Sequence, residues 1–275
     1  MGEDDVSATA WRAPEKMMSH AHATTGAAAW LAVTATVPWA AGWVPLPPAE
    51  VLSGAVATAG AALLLDADHH AGTIARSLPP VSRWVARGLG FLSGGHRHAT
   101  HSLLGVLGAG LIARALSALR VPVAGEDFQL GAWLMIVLLV AFAAKALRVT
   151  RGWLSSWAVS LTVATATTWF APETTWWLPA AVVLGCLCHL AGDALTSQGV
   201  PLLWPLRPSP AVVTPLWRRN GHFALPLLGN AGSRRELVFV AVVDVYIFCV
   251  AAMTAVQGAS GALTGGVPSW LAATV

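Results

Sequence analysis

Charge is what this sequence has least of. Only 11% of its 275 residues are Asp, Glu, Lys or Arg, against 56% hydrophobic residues and a mean hydropathy of +0.63. Soluble domains carry about 25% charged residues, so an ordinary water-soluble globule is excluded and the chain reads as a membrane protein. Cysteine is also scarce: Cys186 and Cys188 share one apolar stretch and Cys249 lies in another. That spacing gives neither a disulfide framework nor a thiolate metal site, and all three read as core residues. The opening stretch MGEDDVSATAWRAPEKMMSH lacks a short apolar core with a small-residue cleavage site. No removable signal peptide is expected, and the first hydrophobic span should stay in the mature protein. HExxH is absent, which argues against an intramembrane metalloprotease. A net charge of +3 and a pI near 9.1 invite nucleic acid. The arginines, however, lie in loops between apolar runs, where membrane topology accounts for them, and no nucleic-acid partner is expected.

Long apolar runs are abundant. A helix crossing a bilayer core needs about twenty apolar residues, and that length recurs at Thr24 to Trp43, Glu50 to Leu65, Ser102 to Leu119, Leu130 to Leu147, Trp153 to Phe170, Trp176 to Leu195 and Leu237 to Val256. The expected fold is all-α, a polytopic membrane helix bundle with about seven transmembrane helices. Cytoplasmic loops retain Lys and Arg. With a cytoplasmic N-terminus, thirteen of these residues fall in inner segments and only Arg120 in an outer loop, while Arg114 and Lys145 lie within spans. The expected divisions are a cytoplasmic tail over 1–19, a membrane-embedded domain over 20–256 and a flexible tail over 257–275. Between spans two and three, VSRWVARGLGFL places Val81, Trp84, Val85 and Leu89 on one helical face and Arg83 and Arg87 on another, as in an amphipathic helix lying on the inner leaflet. The stretch from Gly199 to Arg235 is rich in Pro, Trp and Arg and should be irregular, resting on headgroups.

Eight of the nine histidines fall into four clusters. SHAH, with His20 and His22, precedes span one. DADHH, with Asp66, Asp68, His69 and His70, ends span two. GHRHATHS, with His96, His98 and His101, leads into span three. CHLAGDALTSQG closes span six and sets His189 and Asp193 on one helical face, about 6 Å apart along the axis. Arginine counting alone places all four on the cytoplasmic side. Imidazoles and carboxylates are ligands for zinc, manganese or iron, and carboxylates left uncompensated near hydrocarbon cost about 2.5–3.5 kcal/mol each. A divalent cation offsets that cost. Thr100, Ser102 and Thr196 are hydroxyls placed either to orient the imidazoles or to cap helices.

The motif order of an early His, LLLDADHH, HRHATHSLLG and HLAGDALTSQGVPLLWP resembles the YdjM-like family of membrane-bound metal-dependent hydrolases, from Ser19 to Pro205. Here Leu65, Ala67 and His98 stand where the family pattern has Pro, Ile and Gly. That family is in turn distantly similar to the zinc-dependent phospholipase C and single-strand nuclease superfamily. The resemblance implies a divalent-metal hydrolase using zinc, with manganese as the alternative. Its matching residues are His20 or His22, Asp68, His101, and the pair His189 and Asp193. A second downstream His and HxxxE set is missing, which favours about two ions over three.

The residue types point the same way. Asp66, Asp68, His101, His189 and Asp193 are the expected ligands, followed by His20 or His22, His69 and His96. Asp66 or Asp68 can instead serve as general base, and Arg97 can clamp a phosphate or pair with an aspartate. A site opening at the inner leaflet suits a lipidic substrate with an anionic head, cleaved at a phosphoester. Metal transport or sensing is the rival, but it asks for ionisable groups near the midplane, where only Asp244 and Arg114 stand.

Overall fold

The computed structural model describes residues 12–68, 74–93, 98–123, 125–170, 174–206, 208–210, 214, 216–230 and 232–264. Among them are eight α-helices: α1 Arg12–Thr34, α2 Pro48–Ala61, α3 Val81–Ser93, α4 Leu103–Ser117, α5 Leu130–Ala146, α6 Trp153–Phe170, α7 Thr174–Ala194 and α8 Arg234–Thr264. Each of the seven expected spans falls on one of these helices, and α3 occupies the expected amphipathic segment. Among the described residues, three stretches are long and apolar enough to cross a membrane: Pro48–Asp68, Trp176–Ala194 and Arg234–Ala262. Leu103–Ser117 and Leu130–Ala146 are shorter apolar helices.

The first helix is displaced from the position of the first expected span. Instead of running to Trp43, α1 stops at Thr34, because Pro38, Pro45 and Pro47 cannot sustain a helix and Trp39 and Gly42 adopt φ of 69° and 59°. The chain folds back over the helix end. Amides of Ala41 and Gly42 reach the carbonyl of Ala32, and those of Val44 and Leu46 reach Val33 and Thr34, satisfying carbonyls that a helix terminus leaves open. At its other end α1 begins at Arg12, so His20 and His22 lie within the helix rather than ahead of it.

Helices α2 and α5 form the centre. Ile136, Leu139, Val140, Ala141 and Phe142 of α5 are buried, as are Val51, Ala57, Ala59 and Ala61 of α2. Lipid tails give helices no hydrophobic reason to associate, so close contact between small residues supplies the packing. A Cβ on Gly26 of α1 would stand 2.8 Å from the Thr58 carbonyl oxygen of α2, and one on Gly185 of α7 would stand 2.6 Å from the same atom. Gly60 likewise meets the Leu139 backbone of α5. Helix α8 packs on one side only and leaves Val238, Val242, Val245 and Phe248 exposed. Its start is fixed reciprocally, the Glu236 amide donating to Ser233 Oγ at 3.2 Å and the Gly232 amide to Glu236 Oε2 at 2.6 Å, a variant of the capping box.

Beyond Ala61 the chain tightens into a 3-10 turn, Leu64–Asp68, and a second follows at Ile74–Arg76. On α3, Ser82 and Ala86 are buried and Val85 and Leu89 half-buried, whereas Trp84 and Phe91 are exposed. The apolar face expected there is therefore divided, part of it packing inward. A short antiparallel hairpin, β1 Val121–Val123 and β2 Glu126–Phe128, joins α4 to α5. The described residues between Gly199 and Ser233 form no helix, and they are tied to the bundle: the amides of Leu225 and Leu228 donate to the carbonyls of Ala194 and Leu195.

Candidate metal centre

Four segments bring five side chains together. His22 comes from α1, Asp66 from the 3-10 turn after α2, His101 from the turn before α4, and His189 with Asp193 from successive turns of α7. His101, His189 and Asp193 are fully buried, and His22 nearly so. His189 Nε2 lies 3.2 Å from His101 Nε2 and 3.7 Å from both Asp66 Oδ1 and Asp193 Oδ2. His101 Nε2 stands 3.3 Å from Asp66 Oδ1 and 3.8 Å from Asp193 Oδ2. His22 closes the ring, its Nε2 3.3 Å from Asp193 Oδ1 and its imidazole stacked on that of His189 at 4.0 Å between centroids. Among the described residues, two overlapping triads, His22–Asp66–His189 and His101–His189–Asp193, have ligand spacing.

The outer hydrogen bonds fix which nitrogen faces inward. His189 Nδ1 is 2.7 Å from the Ala62 carbonyl oxygen. A carbonyl only accepts, so Nδ1 carries the hydrogen and Nε2 presents its lone pair. Thr100 Oγ1 donates to Asp68 Oδ2 at 2.7 Å and stands 3.1 Å from His101 Nδ1. With its one hydrogen given to the carboxylate, the hydroxyl accepts from His101 Nδ1, and that imidazole too turns a lone pair inward. Two Nε2 lone pairs and two carboxylates thus meet in a buried volume. Protonating both nitrogens would instead oppose two cations 3.2 Å apart. A divalent cation fits this donor set, which matches carboxylate- and carbonyl-oriented histidine ligation.

The expected residues divide accordingly. Asp66, His101, His189 and Asp193 converge, joined by His22. His20 lies outside the cluster and pairs with Asp244 of α8 at 3.0 Å, because residues two apart on a helix point in very different directions. Asp68 acts one bond further out, through Thr100. Ser102 caps α4, accepting from the Gly105 amide at 3.2 Å, and Thr196 bonds back to the Asp193 carbonyl at 2.8 Å; neither hydroxyl orients an imidazole in these contacts. His69, His96 and Arg97 lie outside the described residues. Two contributors were not foreseen. One is the Ala62 carbonyl, a backbone group that side-chain motifs do not reveal. The other is Gly192, where a Cβ would stand 3.0 Å from Cε1 and Nδ1 of His22; its signal was a glycine beside the HxxxD aspartate.

Fold and site define a class: a helical membrane protein with a buried His/Asp centre suited to a divalent cation. The chain belongs to the family described as YdjM inner membrane protein, whose model matches residues 17–259 and so takes in the whole cluster. It is similar to the inner membrane protein YdjM of Escherichia coli (strain K12), with 40% identity over 63 residues, 22% of this chain and 28% of that relative. The protein of the same name from Shigella flexneri matches with the same values. The alignment thus spans little more than a quarter of the relatives' length. No solved structure matches.

Proposed function

We propose that this protein is a membrane-embedded metal-dependent hydrolase whose His/Asp centre faces the cytoplasm and cleaves a phosphoester of a lipidic substrate. The observation that carries the reading is the pair of imidazoles, each with Nδ1–H engaged from outside and Nε2 turned onto the buried carboxylate of Asp193 and the part-buried one of Asp66. His22, Asp66, His101, His189 and Asp193 would hold the ion, zinc or manganese. When bound, such an ion lowers the pKa of a coordinated water towards 7 and stabilises charge developing on a phosphoryl oxygen. The residues themselves exclude water and hold the donors in place: Thr100 and Ala62 fix the ring orientations, and Gly192 leaves room for His22. Asp66 is the more accessible carboxylate, its side chain 25% exposed, and is the candidate to accept a proton at the site's opening.

The described donors suffice for one ion, since both triads share His189, whose Nδ1 is engaged by the Ala62 carbonyl. A two-ion centre would draw further ligands from outside the described residues. Seven crossings with a cytoplasmic N-terminus fit the helices and the thirteen-to-one bias of Lys and Arg. In that topology α3 would lie along the inner leaflet beside the centre, where an anionic lipid head would meet it. A transport path is disfavoured because Asp244, an ionisable group within a span, is engaged by His20.

Metal analysis of detergent-purified protein beside His189→Ala and Asp193→Ala tests the centre. Bound zinc or manganese, lost in both variants, is expected; folded wild-type protein that binds neither would refute it. Incubation with inner-leaflet phospholipids and either metal then tests the reaction, and headgroups left intact throughout would refute the substrate class.

A further inference from the structure

Beside the centre runs a cavity of about 450 Å3 with almost purely apolar walls, within the roughly 300–1,000 Å3 range of ligand sites. Thr100, the residue that orients His101, lines it, as does Leu65, the immediate neighbour of Asp66. From there the cavity follows α4 past Leu104, Gly108 and Ile112 to Leu116. At 1.5 Å per residue, Leu104 to Leu116 covers about 18 Å. One leaflet of hydrocarbon is about 15 Å deep, half of a ~30 Å core. The floor is closed, Leu65, Ala113 and Leu139 being 3%, 1% and 0% exposed, while Leu104 and Ile112 on the rim are 51% and 58% exposed.

We infer that this cavity holds one hydrocarbon chain of a lipid from the leaflet in which the centre lies, with the lipid's head at Thr100 and the chain's far end near Leu116. The inference rests on the hydrolase reading for the head and on the cavity alone for the chain. Two observations favour a chain over a second protein helix. The polar end abuts the centre while the rest is apolar, which is the polarity of an amphiphile. The length also matches a single leaflet. Gly108 lines the middle of the cavity, and a Cβ there would meet nothing within 4 Å, so a side chain at this position starts in open space and can extend into the cavity.

The test uses the full-length protein in nanodiscs with hexadecyl phosphate carrying a photoreactive diazirine at mid-chain, the adducts being mapped by mass spectrometry. Adducts concentrated between Leu104 and Leu116 and on facing Met135 and Leu138 are expected. They should fall at least tenfold in Gly108→Trp, with metal content and circular dichroism unchanged. Gly108→Leu, a smaller plug, serves if the tryptophan variant does not fold. Adducts spread equally over the outer faces of α4 and α8, or an undiminished yield in a folded plugged variant, would overturn the inference. Wild-type protein that binds no metal yet still gives adducts sensitive to Gly108 would uphold the chain site and overturn the hydrolase reading, so the two fail separately.

Discussion

Thr100→Val tests the orientation of the centre with the smallest change of shape. The hydroxyl donates to Asp68 at 2.7 Å and accepts from His101 Nδ1 across 3.1 Å. Valine keeps the branching but offers His101 nothing to donate to, and removes from Asp68 a short charge-assisted bond. Groups that orient metal-bound histidines are worth about 10–100-fold in metal affinity, or about 1.4–2.8 kcal/mol at ~1.4 kcal/mol per tenfold. Competition for zinc against a chromophoric chelator in detergent should show this loss, and Thr100→Ser should recover most of it. Circular dichroism separates the effect from unfolding. A valine variant with wild-type affinity would refute the relay from Asp68 through Thr100 to His101, and with it the argument that His101 Nε2 turns a lone pair inward.

Two further outcomes follow from the same geometry. Gly192→Ala should weaken metal binding by displacing His22, whose ring lies 3.0 Å from the new Cβ, whereas Gly88→Ala on α3, with nothing within 4 Å, should leave it unchanged; equal affinities in the two variants would remove His22 from the centre. His20→Ala should keep full metal content and lower thermal stability only slightly, since a partly exposed polar pair contributes ~0–1 kcal/mol. Loss of metal in that variant would mean that His20, and not its pair with Asp244, serves the centre.

The helices were legible because apolar length is a one-dimensional property, and each expected span found a helix. The end of the first was not, because hydropathy counts TATVPWAAGW as apolar and takes no account of the donor that Pro38 lacks. Most of the centre was legible from residue type, as Asp66, His101, His189 and Asp193 show. The choice between His20 and His22 depends on how α1 is rotated. A signal for that rotation was present: His22, Gly26 and Trp30 follow one another at four-residue steps, and Gly26 and Trp30 are among the residues α1 turns inward. Asp68 lay beyond such reasoning, since DAD on a tightened 3-10 turn sends its two carboxylates to different partners. The hairpin over Val121–Phe128 was missed because its strands are three residues each, too short to show a period.

The centre depends on the register of α2 against α7, and one glycine sets that register. Gly185 approaches the Thr58 carbonyl, one turn on His189 donates to the Ala62 carbonyl, and a further turn on Asp193 and Asp66 each lie 3.7 Å from His189 Nε2. Both chains advance by four residues at each step, so the two helices run parallel, as spans two and six must in an alternating topology. The Ala62 carbonyl is available because α2 ends there and its last carbonyls lack intrahelical partners. In Gly185→Ala the new Cβ would stand 2.6 Å from Thr58 O and 2.7 Å from Ala61 Cβ and Ala62 N, contacts that backbone on both sides cannot absorb. Overpacking of this kind costs about 1–3 kcal/mol, and the helices must part at the point where His189 is held. Gly185→Ala should therefore lose thermal stability and metal affinity together, although residue 185 touches no ligand. Gly261→Ala, open to its surroundings on α8, should lose neither. A Gly185→Ala protein that is less stable but binds metal as tightly as wild type would show that the imidazole is held by something other than the α2–α7 register.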